Sequence, residues 1–125
     1  MTMCRDISDF HIKYGLAYVG KPRNLPDDLA DFRMKFLEEE LTEYRAASLS
    51  EDLEGQLDAL VDLVYVALGT AYLQGFNFRE AWKRVHTANM QKIRAVDSSA
   101  SKRSNANDVV KPPGWTAPDL SDLVK

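Results

Sequence analysis

Phe36-Leu37-Glu38-Glu39-Glu40-Leu41-Thr42-Glu43-Tyr44 decides how this chain folds. At about 100° per residue, a helical reading aligns Leu29, Phe36, Leu37 and Tyr44 on one apolar stripe. Glu40 falls near the centre of that stripe, Glu39 and Glu43 on its flank, and Glu38 nearly opposite. A carboxylate aimed into a core is costly unless a positive charge meets it. Arg33, on the same stripe, is the internal counter-ion able to meet Glu40 without a metal; a bound cation is the other solution.

Outward from this segment, the pattern predicts four helices and a tail. The first covers roughly residues 3 to 14, with Ile7, Phe10, His11 and Tyr14 on one side. A loop marked by Gly20, Pro22 and Pro26 leads to the glutamate helix, about residues 27 to 47. Ser48 with Glu51 reads as a capping box for the third helix, which stops at Gly75. Asn77 with Glu80 reads as another for the fourth, about residues 78 to 96. Short links make helices two, three and four antiparallel neighbours. The expected fold is all-α: an antiparallel bundle of four main helices over residues 1–96, then a polar linker and extended C-terminal tail over 97–125. Asp97 to Asn107 reads as loop or disorder from its serines and asparagines, and Pro112-Pro113-Gly114-Trp115 as an extended segment that Trp115 docks.

The third helix is apolar almost all round, from Leu57 and Leu60 through Val61, Val64 and Leu68 to Ala71. Such a helix is central or is covered by another subunit, and a 125-residue chain has few elements to surround it. A homo-oligomer, dimer or tetramer, is therefore expected to complete the bundle. Asp58 and Asp62 interrupt this run, which argues against a membrane span. The net charge of −3 leaves no footprint for wholesale nucleic-acid binding. The single cysteine, Cys4, excludes an internal disulfide and a cysteine-based zinc site, and fits a reducing cytoplasm.

Asp58 and Asp62 lie one turn apart on one helix, as do Glu40 and Glu43 on the one before it. If those helices pack antiparallel, four carboxylates converge, and they cannot share a dry site without cations. All-oxygen ligation suits Mg²⁺, with Mn²⁺ as the other hard ion. Carboxylate-bridged iron would need Glu-x-x-His, which neither His11 nor His86 supplies. On the fourth helix Asn89 lies amid Phe78, Trp82, Val85 and Ile93, where an amide can read the edge of a base. Its alternative is a structural asparagine fixing helix register. Lys92 and Lys111 are candidates for phosphate, Lys92 alternatively snorkelling from the stripe edge; His11 is a candidate ligand contact or a core histidine.

Three segments together resemble the all-α nucleoside triphosphate pyrophosphohydrolases, the MazG and phosphoribosyl-ATP pyrophosphohydrolase-like group related to dimeric dUTPases. They are Phe36 to Glu43, Asp58-Ala59-Leu60-Val61-Asp62-Leu63-Val64-Tyr65, and His86-Thr87-Ala88-Asn89-Met90-Gln91-Lys92. The tail Lys111-Pro112-Pro113-Gly114-Trp115 resembles small single-domain members. The resemblance implies metal ligands at Glu40 and Glu43, with Glu39 as a nearby acid or base. It implies magnesium-dependent hydrolysis of a nucleoside triphosphate between its α- and β-phosphates, releasing a monophosphate and pyrophosphate. The second half of the family pattern usually reads Glu-x-x-Asp. Here Ala59 stands three before Asp62 and Asp58 four before, so Asp58 is a direct ligand or binds through water or a second ion. The alternatives are action on phosphoribosyl-ATP, and a non-catalytic helical oligomer holding a structural cation.

Overall fold

The computed structural model describes all of residues 1–125. Four α-helices carry the chain: α1 (Thr2–Lys13), α2 (Asp27–Leu49), α3 (Leu53–Leu73) and α4 (Phe78–Asn89). A two-residue-per-strand hairpin, β1 (Ile93–Arg94) and β2 (Val109–Val110), and two short 3₁₀ turns complete it. The expected all-α class is what is found. The chain forms two compact units, Met1–Phe78 with Leu123–Lys125, and Arg79–Asp122.

In the first unit α2 and α3 are the principal packed pair. Arg33, near the start of α2, donates to Val66 O and Thr70 Oγ1 near the end of α3, so the helices run antiparallel. Their connection differs in detail from the expected capping box. Ser48 stays inside α2, Glu51 takes a left-handed φ of 56°, and Asp52 is the N-cap, accepting from Gly55 N at 3.0 Å. An aspartate beside the reversal caps the next helix directly. At the far end of α3, Gly75 adopts φ 74°, the conformation that ends a helix at little cost to glycine.

The loop between α1 and α2 is tied to the end of α3. Arg23 Nε donates to Leu73 O and Gln74 Nε2 to Arg23 O, while the Arg23 guanidinium lies 3.7 Å from the Tyr18 ring centroid. Ile7 and His11, one turn apart, turn α1 inward.

At Gly69 an α2 side chain lies close against α3. A Cβ there would lie 2.7 Å from Arg33 Nη2 and 3.3 Å from His11 Cε1. Because the guanidinium is held by two hydrogen bonds, it has nowhere cheap to go. Gly69→Ala is therefore expected to destabilise the protein by about 1–3 kcal/mol, read as a lower urea midpoint at unchanged m-value. An unchanged midpoint would show that Arg33 swings aside freely.

The outer face of α3 stays uncovered. Leu57, Leu60, Val61 and Val64 are each between 46% and 65% exposed, and Met3, Ile7, Leu60, Val64 and Leu68 border an apolar cavity of about 500 Å³. By length and composition α3 also meets the requirement for crossing a membrane, with a mean hydropathy of 1.3, but core helices of soluble proteins do so too.

In the second unit α4 is shorter than periodicity predicts, ending at Asn89 rather than near Val96. Trp115 Nε1 donates to Ala88 O at 2.7 Å, satisfying a carbonyl at the helix end. Beyond it the β-branched Ile93 pairs with Val110 in an antiparallel ladder. Of the two readings, loop or disorder, the segment is a loop, ordered by hydrogen-bonded turns. Asp97 accepts from the backbone of Ser99 and Ala100; Asp108 accepts from Ser101 Oγ at 2.7 Å and pairs with Arg103 at 2.8 Å. Composition alone understates such Asx and serine bonding.

Candidate functional site

Helix α2 presents Glu39, Glu40 and Glu43 with one carboxylate oxygen from each, all within 4.8 Å of one another. The spacing explains the gathering: positions 39, 40 and 43 share one side of a helix within a single turn. Glu40 is 6% exposed, while Glu39 and Glu43 are exposed at the rim. Asp62, half-buried, faces them from α3. The antiparallel pairing of α2 and α3 brings the two helices' acids together here.

Electrostatics registers the crowding. Burial, then the charge of Glu43 and a side-chain hydrogen bond with it, then the charges of Asp62 and Glu39, push the Glu40 carboxyl from an ordinary 4.5 to about 7. The Asp62 carboxyl is also raised, first by burial and then by Asp58 and Glu43. Glu40 Oε2 is buried with no hydrogen-bond partner. An orphaned, fully buried carboxylate oxygen needs an explanation, and a cation is the one the surrounding acids favour.

Arg33 does not supply that cation. Its guanidinium is spent on Val66 O and Thr70 Oγ1, with Phe36 5.5 Å beneath it, and it makes no ion pair. The internal counter-ion that could have removed the need for a metal is thus engaged elsewhere. Glu38 is exposed, as its position opposite the stripe predicts.

The remaining candidates are distributed differently. Asp58 is exposed on α3, outside the close three-glutamate group, and acts on it through its charge on Asp62. It borders a separate cavity with Asp52 and Glu54. His11 is 2% exposed in the first unit, its Nδ1 donating to Ile7 O at 2.7 Å and its ring stacked on Tyr72 at 4.6 Å. This is the placement of a core histidine. In the second unit Asn89, read from the stripe as buried, is exposed at the last position of α4. The helix ends there, so the stripe that would have covered it stops. Lys92 and Lys111 each hold Nζ 5.1 Å from the Trp115 ring centroid. No spacing rule relates residues 92, 111 and 115, and the sequence reading missed this sharing of one ring.

No curated protein matches the chain. The family model described as phosphoribosyl-ATP pyrophosphohydrolase matches residues 8–89, about two-thirds of the chain, from α1 through the end of α4. That span contains the three clustered glutamates, Asp58 and Asp62. The chain is a pyrophosphohydrolase of the MazG-like all-α superfamily and belongs to the phosphoribosyl-ATP pyrophosphohydrolase family.

Proposed function

We propose that this protein is a magnesium-dependent nucleoside triphosphate pyrophosphohydrolase, cleaving (d)NTP to (d)NMP and pyrophosphate in nucleotide-pool housekeeping. The observation that carries the reading is the buried, unpartnered Glu40 Oε2 amid three further carboxylates. These residues fit a hard divalent cation. Glu40, Glu43 and Asp62 would hold it, with Asp58 reaching it directly or through water, and Mn²⁺ is the substitute. When bound, the ion neutralises polyphosphate charge and makes a coordinated water more acidic.

The chain's own groups do the rest. Water oxygen bonds to the α-phosphorus as the bond to the α–β bridging oxygen breaks, and the water proton passes to a carboxylate. Glu39, exposed at the rim of the cluster, is placed to take that proton without giving up a buried ligand position. Asn89, Lys92 and Lys111 are proposed to recognise base and phosphate. His11, deep in the first unit's core, is given a supporting role there.

A second reading has specific support, because the matching family model is named for phosphoribosyl-ATP. Pyrophosphate release over the common NTPs, dNTPs and phosphoribosyl-ATP, with Mg²⁺, discriminates the two. Turnover highest on one or more free triphosphates is expected; turnover confined to phosphoribosyl-ATP would replace the housekeeping reading. Magnesium stabilisation with no product from any substrate would mean a non-catalytic protein with a structural cation. The exposed apolar face of α3 supports a homodimer or homotetramer, and the lone Cys4 a cytoplasmic setting.

A further inference from the structure

The hairpin of the second unit encloses a cavity of about 320 Å³ whose walls include Lys92, Lys102, Arg103, Asp108 and Lys111. That is about the lower size of a small-molecule site. Four cations and one carboxylate leave the cavity with three unbalanced positive charges. The carboxylate is already committed, because Asp108 binds Arg103 and Ser101, and these partners hold its carboxyl below the usual range. Lys92, Lys102 and Lys111 have no ion-pair partner.

Lysines left to themselves spread into water and away from each other. Two of these are instead gathered by one aromatic ring, since Lys92 and Lys111 both lie over Trp115. That ring is fixed by its hydrogen bond to Ala88 O. Arg103 is anchored by Asp108, and the turn that carries it is pinned by Ser101, which is buried. The like charges are therefore held together by the fold, at an electrostatic cost that a polyanion relieves.

We infer that this cavity is an oligophosphate-binding site that takes a pyrophosphate or triphosphate group without a metal ion. Three unbalanced charges match such a group better than a single phosphate, which carries fewer. The choice of oligophosphate rests on the hydrolase reading above; the anion site itself rests on the cavity and its cations.

Calorimetric titration of the full-length protein with inorganic pyrophosphate in EDTA tests it, since chelation removes any contribution from the carboxylate cluster. Saturable binding is expected, weakening between 50 and 200 mM NaCl as screening grows. Lys102→Glu should reduce affinity about tenfold or more, Lys111→Gln less, and Lys83→Gln, exposed on α4 in the same unit and not part of the cavity wall, not at all, with helix content unchanged in each. The Trp115 indole N–H resonance should shift on addition of pyrophosphate, because its two lysines engage the ligand. No binding in EDTA, binding indifferent to Lys102→Glu, or orthophosphate bound as tightly as pyrophosphate would overturn the inference. Binding in EDTA without turnover in Mg²⁺ would support this site while counting against the hydrolase reading alone.

Discussion

Glu40→Gln is expected to abolish the proposed metal-dependent pyrophosphate release, by about a thousandfold or more in kcat/KM, while α-helix content stays at the wild-type level. A metal that stabilises transition-state charge contributes several kcal/mol, and each 1.4 kcal/mol or so is a factor of ten in rate. The glutamine keeps the volume and the helix propensity of glutamate but removes the charge from the buried oxygen that has no protein partner. The same change should make the metal-free protein more stable at pH 8, because a neutral amide can donate to the facing carboxylates of Glu43 and Asp62. Loss of function joined to gain of apo stability separates a ligand from a merely structural residue. Glu38→Gln, on the exposed side of the same helix, should leave turnover within about twofold, as surface substitutions generally do. Wild-type turnover in Glu40→Gln would remove Glu40 from the metal centre.

Metal and pH should act on stability in opposite directions. The Glu40 carboxyl is raised in the folded state to about 7, so folding favours its neutral form. That contribution is fully present below the unfolded value near 4.5 and is lost as pH rises through about 7. Asp62 shifts in the same direction. In EDTA the protein should therefore lose on the order of 1–3 kcal/mol between pH 5 and pH 8 from this cluster. A Mg²⁺ ion held by these acids would bind their ionised form, so its stabilisation should be larger at pH 8 than at pH 5. At a hundred times its dissociation constant it contributes about 2.7 kcal/mol. Thermal melts at both pH values, with EDTA or Mg²⁺, give all four terms. A magnesium response equal at the two pH values, or none, would contradict ligation by these acids.

Several features were legible from local pattern alone. The position of Glu40 on its stripe foretold its burial, and the turn spacing of the two acid pairs, with short links between helices, foretold the meeting of α2 and α3. Glu38 was separable from its neighbours by angle. Where local pattern failed, a longer-range interaction had won. The fourth helix stops at Asn89 because Trp115, far along the chain, bonds to Ala88 O and Ile93 enters a ladder with Val110. The serine-rich segment is ordered because Asp108 gathers Ser101 and Arg103, a bond set that composition cannot express. The same termination leaves Asn89 exposed instead of within an apolar stripe.

Helical class, the inward-facing glutamate and the oxygen-rich donor set follow from the order of residues, because helical angle and ligand chemistry are properties of near neighbours. The fate of Arg33 does not. Sequence spacing left it able to neutralise Glu40, and only the packing of α2 against α3 committed it to Val66 O and Thr70 Oγ1. The lysines at 92 and 111 likewise met over one indole only when the hairpin closed. Which charges are neighbours across elements is decided by tertiary contact, since Coulomb energy depends on distance through space and not along the chain.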